Sequence, residues 1–199
     1  MALPEMGKIV ILNGTSSAGK TSILRALQNL LPEPFLDAGI DKFIWMLPER
    51  YLERPLWDDI LGQADCAGVA GHTLFSGMHH AIAALSRRGN NILADHVFVH
   101  PSWVRECAVL FEGLPAYLVG IRCPLEVLVE RERARRNRTL GQAALQYPLV
   151  HAHGVYDCEV DTSLQTVEEC ALAIKERLDS LEPPVAFASL RNSEYGSRS

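Results

Sequence analysis

With 199 residues, 48% of them hydrophobic and 22% charged, the chain is long enough for one soluble domain with a real core. It has no apolar run near the roughly 18 residues that a membrane crossing needs. Its formal net charge of −5 gives nucleic acid no general electrostatic footing. Five scattered cysteines (Cys66, Cys107, Cys123, Cys158 and Cys170) form no CxxC pair. MALPEMGK carries no signal-peptide core, so a reduced, cytoplasmic chain is expected.

Taken in chain order, Ile9 to Leu12 is an unbroken apolar run suited to a strand buried on both faces of a parallel sheet. Gly14-Thr15-Ser16-Ser17-Ala18-Gly19-Lys20-Thr21 follows and fits the pattern G-x-x-x-x-G-K-[ST]. The two glycines let the backbone turn tightly, and the loop amides and the next helix's N-terminus can face an anion. Lys20 is placed to reach the outer phosphates of a nucleotide, and Thr21 to offer its hydroxyl to Mg²⁺. Ile23, Leu24, Leu27, Leu30 and Leu31 then recur at helical spacing until Pro32.

PFLDAGID reads as a short strand-like run ending at Asp41. The aromatic-rich stretch 42–71, broken by Pro48 and Pro55, reads as an irregular excursion over one end of the sheet. There Phe43, Trp45 and Trp57 could line an apolar acceptor pocket, although Tyr51, Trp103 and these three could equally be core. A helix is expected over His72–Arg88, with Phe75, Met78, Ile82 and Leu85 on one face and Gly89 as its cap. NILADHVFV is a strand, Pro101 opens a helix to about Phe111, and AYLVGIRC is a strand. Leu125–Arg136 is a basic helix and YDCEVDTS a last short strand. Thr166 to Glu169 signals a capping box for a helix ending near Leu181. Pro183-Pro184 closes a single domain over 1–182, leaving 183–199 as a loosely ordered tail. This alternation predicts an α/β, three-layer fold with a central parallel sheet of about five strands and helices on both faces.

Ligands in such sheets sit at the carboxyl ends of strands, which selects Asp41 and Asp95. In phosphoryl transfer one carboxylate can take the acceptor hydroxyl's proton and another can hold Mg²⁺. On spacing alone Asp41 could equally be a helix N-cap, and Asp95 a strand-end turn residue. The arginines between Arg131 and Arg138 suit a lid over 131–146 that closes on nucleotide, or a solvated helix face for Arg133 and Arg136. His151 and His153 lack a third partner at metal-site spacing and read as pocket or surface residues. The adjacent pair His79-His80 diverges on its helix and reads as structural.

The chain resembles the chloramphenicol phosphotransferase-like proteins, small P-loop kinases, from Ile9 to about Ile174. The stretches that carry the resemblance are ILNGTSSAGKTSI, LPEPFLDAGIDKFI, ILADHVF, VGIRCP, Arg131, Arg135 and Arg138 with Gly141 and Gln146, Val150-His151, YDCEVDTS and ECALAI. The resemblance implies ATP and Mg²⁺ as cofactors and transfer of the γ-phosphate to an alcohol, with chloramphenicol as the family's acceptor and antibiotic resistance as its role. It implies Asp41 as base. Lys20 and the loop from Gly14 to Thr21 would hold the phosphates, Thr21 and Asp95 the metal, and Arg135 and Arg138 the transferring charge. Two departures weaken the transfer of substrate identity. His96 stands where the family pattern has a second aspartate, and Glu49–Gly71, the expected pocket wall, matches poorly. A kinase for another alcohol, sugar or nucleotide and a non-enzymatic ATP-binding regulator are the rival expectations.

Overall fold

The computed structural model describes residues 5–49, 68–134 and 140–193, of which 68–70 are described as backbone only. Five strands, β1 (Ile9–Asn13), β2 (Phe35–Asp37), β3 (Asn91–His96), β4 (Ala116–Arg122) and β5 (Cys158–Asp161), form one sheet in the order β2-β3-β1-β4-β5. Every pairing is parallel. The first strand is central because it is apolar on both sides. Ile9 and Ile11 enter one core cluster while Val10 and Leu12 enter the other.

Eight helices are seen among the described residues. α2 (Ile40–Ile44), α3 (Gly68–Arg87), α4 (Pro101–Leu110) and α8 (Ala186–Asn192) feed the Ile9/Ile11 side. α1 (Lys20–Leu30), α5 (Leu125–Ala134), α6 (Gln142–Val150) and α7 (Val167–Asp179) feed the Val10/Leu12 side. The expected α/β layering with a five-stranded parallel sheet is therefore present. Several local signals hold as well. Pro101 occupies the first turn of α4. Gly89 follows α3 with a positive φ of 85°. Thr166 and Glu169 make both hydrogen bonds of the capping box.

Two expectations need correction. The strand-like run does not extend to Asp41: β2 ends at Asp37, Gly39 is the N-cap of α2, and Asp41 lies in that helix's first turn. The backbone leaves the sheet early because Asp37 accepts a hydrogen bond from Gly39 N at 3.1 Å, a local turn that competes with strand pairing. The segment after Pro183-Pro184 is not loose as far as Asn192. It forms α8, which buries Ala186, Phe187 and Leu190 and packs Phe187 edge-on against Phe111 at 5.2 Å. The carboxylate of Asp157 accepts the Val185 and Ala186 amides and so docks the helix's start. Residues 194–199 lie outside the described part.

Candidate active site

The site is assembled at the carboxyl ends of β1 and β3. The loop after β1 needs Gly14 because a Cβ there would lie 2.7 Å from the Ile121 carbonyl oxygen of β4. It then wraps through Ser17, held in the left-handed region at φ 66°. A non-glycine residue in that region is strained, and such strain concentrates at functional sites. Lys20 is buried and folds back on the loop, donating to the Gly14 and Thr15 carbonyls at 2.7 and 2.8 Å. The hydroxyls of Ser16 and Ser17 are buried without a hydrogen-bond partner among the described residues. Two orphaned donors in a concave loop fit a group rich in acceptor oxygens, such as the phosphates of a nucleotide.

Asp95 reaches this cleft through the strand pleat. Leu93 packs on the α1 side, and Asp95, two residues on, points the same way. Its Oδ2 accepts the Thr21 hydroxyl hydrogen at 2.9 Å. Burial raises the Asp95 pKa from its ordinary value, and Lys20 and the Thr21 hydroxyl offset this only in part. A dehydrated carboxylate beside a hydroxyl, with its charge incompletely met, is a donor set that suits a hard divalent cation. Gly39 is required here, since a Cβ on it would meet Asp95 Oδ1 at 2.0 Å.

Asp41 lines the same cleft as Ser16, Ser17, Lys20 and Asp95, and so stands across from the loop. It also borders a neighbouring cavity of ≈ 170 Å³ shared with Asp37, Arg25, Lys42 and Trp45. Trp45 is 65% exposed and forms a rim there rather than core, whereas Trp103 is core and Phe43 half-buried. Trp57, Tyr51, Arg135 and Arg138 fall outside the described residues. Arg131 is described, and it donates to the carbonyl and hydroxyl of Thr162, a neighbour of Gly19, at 2.7 and 2.9 Å.

Two residues of this region, Asn13 and Asp37, were not singled out from the sequence, and Gln146 was named only within the resemblance, without a role. Asn13 closes β1 and fastens the loop's root. Its Oδ1 accepts Phe98 N, and its Nδ2 lies 2.7 Å from Val150 O and 2.8 Å from Tyr156 Oη. A polar residue ending an apolar strand just before the loop was the available signal. Asp37, placed likewise after β2, pairs with Lys42 at 3.3 Å. Gln146 accepts Ser16 N at 2.8 Å.

The histidines have structural settings. His151 hydrogen-bonds Tyr156 Oη, and His153 is buried beside Asn13. Burial lowers their pKa values to about 3 and about 4. Among the described residues no cluster of three or more His, Cys, Asp or Glu side chains is arranged to hold a metal ion. His96 points away from the cleft. Its Nδ1 accepts Val97 N, so its Nε2 carries the hydrogen toward His79 Nε2 at 2.9 Å, and His79 Nδ1 donates to Glu106 at 2.5 Å. His80 is exposed on the other side of its helix, as expected for a diverging pair.

A family profile described as chloramphenicol phosphotransferase-like protein matches residues 7–179. Sequences from two Mycobacterium tuberculosis strains, each named "Putative O-phosphotransferase", are 35% identical over 95% of this chain and 89% of their own length. Among solved structures, a Deinococcus radiodurans tunicamycin resistance protein aligns with TM-score 0.63 at 18% identity, over 89% of this chain and 99% of that one. The M. tuberculosis APS kinase, determined with AMPPNP and APS, aligns with TM-score 0.59 at 16% identity, over 89% and 100%. A Sinorhizobium meliloti gluconokinase aligns with TM-score 0.57 at 18% identity, over 98% and 99%. At these identities the structures testify to the shared fold alone. No described helix is long and apolar enough to cross a membrane.

Proposed function

The chain belongs to the chloramphenicol phosphotransferase-like family, and from that premise we propose that it transfers the γ-phosphate of ATP to a hydroxyl of a small molecule. Family and fold make it a phosphotransferase of the kinase class. The observation that carries the finer reading is one cleft lined by a phosphate-type loop, with unpartnered Ser16 and Ser17 hydroxyls, and by Asp41 and Asp95.

In this reading the loop amides, Ser16, Ser17 and Lys20 hold the β- and γ-phosphates. Thr21 and Asp95 hold Mg²⁺, which when bound supplies neutralising charge at the phosphate oxygens. Asp41 orients the acceptor hydroxyl and takes its proton as the new O–P bond forms. The bond from the γ-phosphorus to the bridging oxygen breaks, and ADP leaves. Little covalent chemistry falls to the protein, so positioning and charge placement carry the rate. Arg135 and Arg138 are assigned to the transferring charge by family resemblance. Chloramphenicol is the first acceptor to try. A second reading, a kinase for another small alcohol, draws support from the cavity beside Asp41, where Asp37, Arg25 and Lys42 could hydrogen-bond a polyhydroxy acceptor.

Asp41→Asn tests the assignment, because it keeps size while removing charge and basicity. Acceptor-dependent ADP release, screened over chloramphenicol and other hydroxylated compounds, should fall roughly 10²–10⁴-fold with ATP affinity and melting temperature little changed. Near-normal turnover in the variant would move the base role to Asp95. ATP binding without acceptor-dependent release from wild type would favour a regulatory protein.

A further inference from the structure

Gln146 stands apart from the roles given so far. It is 4% exposed, on α6, and its Oε1 accepts the Ser16 amide hydrogen at 2.8 Å. The backbone N–H can only donate, so the amide orientation is unambiguous, and the –NH₂ with its two hydrogens is what remains to offer. Gln146 and Gln142, one helical turn apart on the same face, both line the cleft that contains Lys20, Asp41 and Asp95.

The helix bearing them is fastened at both ends. The buried carboxylate of Glu132 accepts the Gly141 and Ala143 amides at 2.8 and 2.9 Å, capping the start of α6. Asn13, at the root of the phosphate loop, donates to the Val150 carbonyl at the far end. A side chain on a doubly fastened helix cannot swing away as a surface glutamine would. Of the segment 131–146 expected as a lid, residues 142–146 lie in this helix, and its start is tied to Glu132 of the same segment.

We propose that Gln146 is a catalytic residue that hydrogen-bonds the terminal phosphate, taking the amide hydrogen of Ser16 and presenting its own two in that position. The proposal rests on the phosphotransferase reading above. The charge arrangement favours it. Asp41 and Asp95 bring only acceptors to the cleft, so a transferring phosphoryl group needs donors from the remaining walls. Lys20 and the loop amides supply them from the β1 side and Gln146 from the α6 side. On this assignment the donor meets only the terminal phosphate, so it distinguishes a nucleoside triphosphate from a diphosphate.

Two variants test it, with AMPPNP and ADP as probes in the presence of Mg²⁺, alongside a thermal melt. Gln146→Glu keeps an acceptor for the Ser16 amide but removes both donors. Gln146→Met keeps the length and removes donors and acceptor without adding charge. Both should weaken AMPPNP about tenfold or more while leaving ADP affinity within about twofold; Gln146→Met, which also leaves the buried Ser16 N–H without its acceptor, should lower the melt by several degrees without unfolding the protein at the assay temperature. Equal weakening of AMPPNP and ADP would make Gln146 a support for loop shape and overturn the proposal. So would AMPPNP binding by Gln146→Met at the wild-type level, since the Glu effect would then be charge repulsion alone. Wild-type protein that binds neither nucleotide would overturn the phosphotransferase reading along with it, an outcome distinct from the other two.

Discussion

Two adjacent residues at the end of β3 lead to opposite sides of the sheet. Asp95 continues the Leu93 side and reaches Thr21 on α1. His96 continues the Ile92 and Ala94 side and reaches His79 on α3, then Glu106 on α4. The first side is a cleft in which buried groups are left short of partners. The second is closed: from Val97 N through both imidazoles to Glu106, which also accepts the Ser76 hydroxyl, every hydrogen has an acceptor. Incomplete satisfaction marks the cleft as a place for a ligand, and complete satisfaction marks the chain of histidines as scaffold. At a strand end, parity along the pleat decides which of two polar neighbours can do chemistry.

The strongest way to break this comparison is Lys20→Ala. Loss of the cation that the proposed function assigns to the phosphates should reduce turnover by about 10³–10⁵-fold, the scale for such charges in phosphoryl transfer, with an unchanged melt. Wild-type turnover in the folded variant would show that the loop side does no catalysis.

His79→Leu probes the other side. It leaves the fully buried His96 Nε2–H without its acceptor, which costs about 1–3 kcal/mol. The melting temperature should drop several degrees, while nucleotide affinity stays as in wild type. A nucleotide-binding defect at constant stability would dissolve the division between the two sides.

Acid tests the buried imidazoles without any substitution. Burial lowers the pKa values of His79, His96, His151 and His153. Between about pH 6.5 and their folded values the unfolded chain binds protons that the native one refuses. Their contribution is thus fully present above pH 6.5 and is lost as pH falls below it. Melting temperature should decline from pH 7 to pH 5, before most carboxylates titrate. A constant or rising value over that interval would contradict the buried, neutral assignment.

The phosphate side was legible from residues because its chemistry is local. Gly14 through Thr21 is a contiguous stretch between a strand and a helix, and its backbone geometry follows from its own glycines. The capping box of α7 was legible for the same reason. Asp95 was found because it follows an apolar strand directly. What could not be read required distant partners. α8 is only seven residues long and has no stability by itself; its docking on Phe111 and Asp157 fixes it, and neither is near in sequence. Gln146 was visible only as part of the resemblance, and nothing in QAALQYPLV told which of its residues would face the loop. Its burial depends on Glu132 and Asn13 anchoring α6 from both ends. Asp41 was expected at a strand end and lies instead in the first turn of α2, since the short turn at Asp37 cut the strand early.

The central place of β1 also has a consequence during synthesis. Its partner β3 emerges some eighty residues later and its partner β4 roughly a hundred residues later, as the Ile9–Ile92 and Ile9–Ala116 registers show. At about 5–20 residues per second, the Ile9–Leu12 run waits on the order of 5–20 s, an apolar segment with both edges open, until the ribosome delivers what covers it. Slowing translation before Ala116, or removing the chaperones that hold nascent chains, should therefore lower the yield of folded protein more than any single surface substitution.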